Sequence, residues 1–294
     1  MGSRSLAGTV HPDPSLDAVY GVDFSAAERS AGASTWVARC VVDDGLLTVE
    51  ELASASEFLG LDSTRRDDVL PALADRLGDA AGPAVAGLDF PFSLPAWVLD
   101  GDDWRSFVEG TPERWGALGE IDDPRDLYDA VTAAAEADDG GGGRPLRRST
   151  DDDHGGQDPA GFRIKTQTYY GISSLLRRLI ADDGVGVPPV ATTPDPRLTL
   201  LETYPASVFD RLPGGERTGY KKAQRRHVEA RRRNVDALVD AGVRFGSDPA
   251  RDCAVATDDA LDAVAAAYAA AEHYPEVLDR EWSDAERREA RIFA

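Results

Sequence analysis

Residues 18–24, Ala-Val-Tyr-Gly-Val-Asp-Phe, form an apolar run that ends on a carboxylate, Asp23. β-Branched and aromatic residues bounded by polar chain predict a strand. Two more apolar runs follow, Thr35–Val42 and Leu46–Leu52, joined by Asp43-Asp44-Gly45. An Asp-Gly pair between such runs predicts a hairpin. Next, Thr64–Leu77 carries Val69, Leu70, Leu73 and Leu77 at helical spacing, with Asp62 or Ser63 as N-cap. Ala84–Phe90 is a fourth strand and Leu198–Tyr204 a fifth. Tyr169–Ile180, Tyr220–Ala241, Asp258–Ala271 and Ser283–Ile292 read as helices, and Val187–Pro196 as a proline-rich turn region. This order predicts an α/β layer fold, a mixed five-stranded sheet with helices on both faces. No internal repeat is evident.

Two stretches fall outside this pattern. Residues 1–17 are expected to be a flexible tail. Residues 96–160 are expected to be an irregular insertion, with Asp/Gly-rich centres at Ala137–Gly143 and Asp151–Gly156 that are exposed or poorly ordered. Trp97, Trp104 and Trp115 would anchor its start. The remainder, 18–294, is expected to be one domain.

Fifty-three acidic residues against 32 basic ones give a net charge of −21, and the lysines are only Lys165, Lys221 and Lys222. Such a surface suits a halophilic protein in a high-salt cytoplasm, where counterions screen self-repulsion. The acidity therefore points to environment, not to a partner. Cys40 and Cys253 sit in apolar contexts, as expected of thiols in a reducing compartment. No apolar run approaches the roughly 20 residues of a membrane span, and no apolar signal segment is evident, so a cytoplasmic protein without membrane contact is expected.

Five carboxylates stand out. Asp23, Asp89 and Glu202 each end an apolar run, and Asp259 and Asp262 lie three apart at the head of an alanine-rich helix. A carboxylate buried without a partner is costly. Five at one point would repel each other unless a divalent cation neutralised them, and oxygen-only ligation suits Mg²⁺ or Mn²⁺ rather than Zn²⁺. Each has a simpler explanation too. Asp23 and Asp89 can cap strand ends. Glu202, in a residue type poor in strands, can pair with one of the many arginines. Asp258 and Asp259 can serve the helix dipole, which explains Asp262 less well. A second cluster, Tyr220-Lys221-Lys222-Ala223-Gln224-Arg225-Arg226-His227-Val228-Glu229-Ala230-Arg231-Arg232-Arg233, is basic in an acidic chain. It is either a phosphate-contacting helix or a solvated face that balances nearby acids. The histidines lack zinc-ligand spacing, and neither a GxxxxGK[S/T] loop nor a Gly-x-Ser-x-Gly elbow occurs.

Together, Gly21-Val22-Asp23-Phe24-Ser25, Leu88-Asp89-Phe90-Pro91, Glu202-Thr203-Tyr204-Pro205, Tyr220-Lys221 and Asp259-Ala260-Leu261-Asp262-Ala263 resemble the domain-of-unknown-function family 429. Arg148-Ser149-Thr150-Asp151 looks like that family's Arg/Asp segment. The resemblance runs from about Ala18 to the C-terminus and implies a ribonuclease H-like fold with nuclease activity. The helix head is also similar to Holliday-junction resolvases of the same superfamily, which carry two Asp three apart there. The resemblance implies a catalytic set of Asp23, Asp89, Glu202 and Asp262. These, with Asp259, would hold two Mg²⁺ or Mn²⁺ ions. Many members of the family carry His near the position of Asp259, which puts Asp262 ahead of it.

The expected activity is metal-dependent hydrolysis of phosphodiester bonds in DNA or RNA, one ion activating water and the other stabilising the leaving oxygen. Ser25, Lys221, Lys222, Arg225 and Arg226 would bind phosphate. Two rivals stand beside it. One is a nucleotide-dependent phosphotransferase or ATPase of the actin-like superfamily, which shares the strand-one Asp but duplicates the domain. The other is a non-catalytic nucleic-acid-binding module.

Overall fold

Strand β1 (Ala18–Asp23) runs through the middle of the sheet. On one side it pairs antiparallel with β2 (Trp36–Asp43), which pairs antiparallel with β3 (Leu46–Ser54). On its other side it pairs in parallel with β4 (Ala84–Asp89). Two-residue β5 (Val185–Gly186) and β6 (Leu198–Thr203) come next, β6 lying in parallel between β4 and β5. Three-residue β7 (Val243–Phe245) closes the far edge in parallel with β3, and two-residue β8 (Ile292–Phe293) pairs in parallel with the end of β6. The molecule is a computed structural model that describes residues 12–137, 143–222, 224–284 and 286–294.

The sheet has eight strands where five were expected. The five are all there. The three additions are too short for an alternating pattern to register in the sequence.

Both faces of the central strands are covered, which is why they read as nearly unbroken apolar runs. Tyr20, Val22, Ala86, Leu88 and Leu200 face one core. Val19, Val85 and Leu201 face the other. Helix α1 (Arg66–Gly78) packs on the first face through Val69, Leu70 and Leu73. So do α2 (Pro124–Glu136), α3 (Ser149–His154) and α4 (Lys165–Tyr170), the last continuing through a π-helical turn at Gly171–Leu176. Helices α5 (Arg225–Asp240), α6 (Asp248–Ala256) and α7 (Asp258–Asp279) cover the second face.

Helix α7 lies unusually close to β1 and β4. A Cβ placed on Gly21 would sit 2.0 Å from the Ala263 carbonyl oxygen, and one on Gly87 2.2 Å from that of Ala266. Only glycine on the strands and alanine on the helix allow this approach. The alanine run is thus a packing surface, and it sets the depth at which the head of α7 meets the strand ends.

Several expectations need correction. Residues 96–160 hold several helical segments, α2 and α3 among them, with irregular chain between. Asp123 caps α2 through the Arg125 and Asp126 N–H groups, and Leu127 and Val131 are buried at helical spacing. Trp104 and Trp115 are fully buried, as expected of anchors, whereas Trp97 is half-buried with its indole N–H on the Pro145 carbonyl. Asp151–Gly156 is exposed only in part: Asp152, Asp153 and Gly155 are exposed, whereas Asp151 is buried within α3. Of the other centre, Ala137–Gly143, residues 138–142 lie outside the described residues. Within the tail, residues 1–11 lie outside them too, but Leu16 is buried and the Asp17 N–H donates to the Pro83 carbonyl. Helix α5 starts at Arg225, five residues later than expected, and α7 runs on to Asp279. The last expected helix shrinks to Glu286–Glu289, because Ile292 and Phe293 join the sheet. Among the described residues, no helix is long and apolar enough to cross a membrane.

Candidate metal centre

Asp23 and Asp89 are register partners at the ends of the parallel strands β1 and β4. Side chains alternate along a strand, so both lie on the same face as Gly21 and Gly87, towards α7. Asp262 meets them from the second turn of α7. One carboxylate oxygen from each lies within 4.8 Å of the others. Asp262 is 1% exposed; Asp23 and Asp89 are half-buried and open into a cleft of about 270 Å³ at the carboxyl ends of the strands. That end of an open α/β sheet is where such folds bind ligands.

Burial and neighbouring acids raise the proton affinity of these carboxyls. Asp23 is raised well above the usual carboxylate range by burial first, then by the charges of Asp262, Asp89 and Asp259. Burial lifts Asp89 to about 7, against the pull of Lys221 and with the push of Asp262 and Glu202. Asp262 is raised by burial, and Lys221 and Tyr220 restrain the rise. Its two oxygens are held separately: the Tyr220 hydroxyl donates to Oδ1 at 2.9 Å, and Lys221 Nζ lies 2.8 Å from Oδ2. Asp259, three residues earlier on α7, is half-buried and raised to about 6 by burial and by Asp258. It stands beside the three-carboxylate cluster, outside its shortest contacts.

Glu202 lines the same cleft but belongs to a different group. It is the register partner of Leu88, not Asp89, so its side chain faces the opposite side of the sheet. There Arg148 grips it with two parallel hydrogen bonds, Nη1 to Oε2 at 2.8 Å and Nη2 to Oε1 at 2.5 Å. The Phe92 N–H donates to Oε2 as well. Arg148 also binds Asp151 through Nε and Nη2. All three side chains are buried. The arginine-pairing explanation of Glu202 is the one the structure realises.

The basic stretch divides too. Lys221 lines the cleft. Lys222, Arg225 and Arg226 are exposed and are not among the residues that line it. Arg225 pairs with Glu229 on its own helix. Ser25 sits at the end of β1, where its N–H and carbonyl both bond to the Thr35 hydroxyl.

Three features escaped the sequence reading. Gln157 from the stretch expected to be irregular, Arg163 from the turn before α4, and Gln167 from α4 line the cleft. Thr203, the residue after Glu202, lines it from β6, and its buried hydroxyl has no hydrogen-bond partner among the described residues. Arg231 is fully buried and donates to four backbone carbonyls, those of Tyr220, Lys222, Val255 and Ala256. It ties the Tyr220–Lys222 segment to the chain entering α7 and so sets where Tyr220 and Lys221 meet Asp262. The clue was its place on the stripe His227, Ala230, Arg231, Asn234, Val235, Leu238, which is the buried side of α5.

Residues 174–287 match the model of a family described as protein of unknown function (DUF429), the family that the motifs resemble. The match includes Glu202, Tyr220, Lys221, Asp259 and Asp262, and leaves out Asp23 and Asp89. No curated protein and no solved structure matches the chain.

Proposed function

We propose that this chain is a divalent-metal-dependent hydrolase of phosphodiester bonds in nucleic acid, built on a ribonuclease H-like sheet. The observation that carries the reading is the convergence of Asp23, Asp89 and Asp262, from two adjacent strand ends and a helix head, to within 4.8 Å. The strand order supports the fold: three antiparallel strands with the first in the centre, then two in parallel with it. The donor set consists only of carboxylate oxygens, which suits Mg²⁺ or Mn²⁺. Such ions, when bound, generate hydroxide from water and stabilise a leaving oxygen.

The chain's own residues have distinct parts. Asp23 and Asp89 present ligand oxygens at the floor of the cleft. Tyr220 fixes one oxygen of Asp262. Phe90, Pro91 and Tyr204 give the cleft an apolar wall that limits water. Arg163 and Lys221 put positive charge where a phosphate would enter. Glu202 holds Arg148 beneath the cleft, as a structural group, and Asp259 adds charge beside the cluster. The free thiols Cys40 and Cys253 suit a cytoplasmic protein.

A second reading, a non-catalytic nucleic-acid-binding module, draws on one observation: Lys221 already neutralises part of the cluster. One experiment separates the two. Single-stranded, duplex and branched DNA and RNA are incubated with the protein in molar KCl, with Mg²⁺, Mn²⁺ or chelator. Metal-dependent cleavage that disappears in Asp23→Asn supports the hydrolase. Binding without cleavage under every condition, together with weak Mn²⁺ affinity, would favour the module.

A further inference from the structure

The ammonium of Lys221 sits where a cation belongs. Its Nζ is 2.8 Å from Oδ2 of Asp262, a carboxylate that is 1% exposed, and Tyr220 occupies the other oxygen. Burial disfavours its charge, but Asp262, Asp89 and Asp23 together hold it firmly protonated. Two features distinguish this pair from the arginine buckle on the other face. Lys221 is 55% exposed, against 0% for Arg148, so it has room to leave. It also lies in a bend between Leu212 and α5, held by carbonyls on either side, Tyr220 and Lys222, through Arg231. The backbone is thus pinned, and four rotatable side-chain bonds remain free to swing. The same side chain lines the cleft that Arg163 also lines, with the Thr203 hydroxyl, which has no hydrogen-bond partner among the described residues, in its wall.

Resting on the metal-centre reading, we propose that Lys221 is a stand-in cation. It neutralises Asp262 until a divalent ion takes that carboxylate, and the released ammonium then turns with Arg163 to a phosphate group in the cleft. Three clustered carboxylates without any cation would repel strongly. A lysine supplies one positive charge as a compact, mobile donor, whereas an arginine fork would lock the site. Cation binding and phosphate binding are thereby linked: the lysine is free for the anion only once the metal has replaced it. Linkage of this kind is reciprocal, so phosphate also tightens metal binding.

The test uses the full chain in molar KCl at neutral pH, with Mn²⁺ titrated calorimetrically and radiolabelled inorganic phosphate followed by equilibrium dialysis. Wild type should bind Mn²⁺ and should bind phosphate only when Mn²⁺ is present. Lys221→Met should bind Mn²⁺ roughly tenfold more tightly, about 1.4 kcal/mol, and lose most of the metal-dependent phosphate binding. Lys221→Arg, which keeps the charge in a stronger grip, should bind Mn²⁺ more weakly than wild type. Melting curves in chelator and in Mn²⁺ establish that each variant is folded. Equal or weaker Mn²⁺ affinity in Lys221→Met, with wild type still binding Mn²⁺, would overturn the stand-in role and leave the metal centre intact. Phosphate binding by wild type that ignores Mn²⁺ would overturn the linkage. Absence of Mn²⁺ binding in every form would overturn the metal centre itself, and this inference with it.

Discussion

Two groups of acids lie on opposite faces of the sheet, at the carboxyl ends of neighbouring strands. On one face, Glu202 and Asp151 share Arg148, and every oxygen has a donor within hydrogen-bond distance. On the other, Asp23, Asp89 and Asp262 crowd together, with a tyrosine and a half-exposed lysine bound only to Asp262. The first group is closed. One guanidinium serves its two carboxylates, and the C-terminal segment seals it: the Glu289 carbonyl accepts from Arg148, and the Ile292 N–H donates to Thr150. The second is open and holds surplus negative charge against a cleft. Buried carboxylates whose oxygens all have donors are costly to disturb, whereas a cluster with one partially exposed cation for three carboxylates is tolerated where a ligand can offset its charge.

The largest effect should come from breaking the closed group. Arg148→Met leaves two buried carboxylates unpaired and should cost about 3–5 kcal/mol of stability in denaturant unfolding. A loss below about 1 kcal/mol would mean that the buckle adds little and that the contrast between the faces is false.

Asp23→Asn should do the reverse. Metal-dependent hydrolysis should fall by at least about a hundredfold, and stability in chelator should hold or rise, because one of three repelling carboxylates is neutralised. A variant that melts well below the parent in chelator would make Asp23 a structural cap.

The third prediction concerns pH. The Asp89 carboxyl titrates at about 7 in the folded chain and near the usual carboxylate value of about 3.9 in the unfolded one. A raised folded value means that the folded state binds the proton more tightly. The stability linked to it is complete below about pH 4 and lost as pH rises through about 7. In chelator the melting temperature should therefore fall from pH 5.5 to pH 8, and Asp89→Asn should flatten that fall. Identical slopes in parent and variant would remove Asp89 from the account.

The smallest effect should follow the triple substitution of Lys222, Arg225 and Arg226 by Gln. These residues are exposed and do not line the cleft, so Mn²⁺ affinity and the hydrolysis rate at saturating substrate should change by less than about twofold. Binding of a long nucleic acid should lose part of its salt dependence, since fewer counterions are displaced. A large loss of rate at saturation would show that this surface reaches the chemistry after all.

Much of this was legible in the chain. Five strands and the main helices announced themselves through apolar periodicity, because a central strand covered on both faces must be apolar nearly throughout. Asp23, Asp89 and Asp262 were conspicuous because charge at the end of such a run needs a reason. The insertion was misjudged because its helix caps and its buried Arg148–Asp151 pair use the same Asp and Gly residues that mark exposed chain. The short strands β5, β7 and β8 left no pattern to read.

What the sequence determined alone is the inventory: an acidic α/β chain whose strand ends and one helix head carry carboxylates, with a basic segment before another helix. Which acids meet was decided only by tertiary structure. Glu202 and Asp89 lie on opposite faces because Glu202 pairs with Leu88, a register set between strands far apart in the chain, and a shift of one residue would have reversed it. Lys221 reaches Asp262, while Lys222 beside it points to solvent, because Arg231 pins the intervening backbone. Composition and spacing record which groups are present; their facing depends on register and on distant hydrogen bonds, and these exist only once the chain has folded.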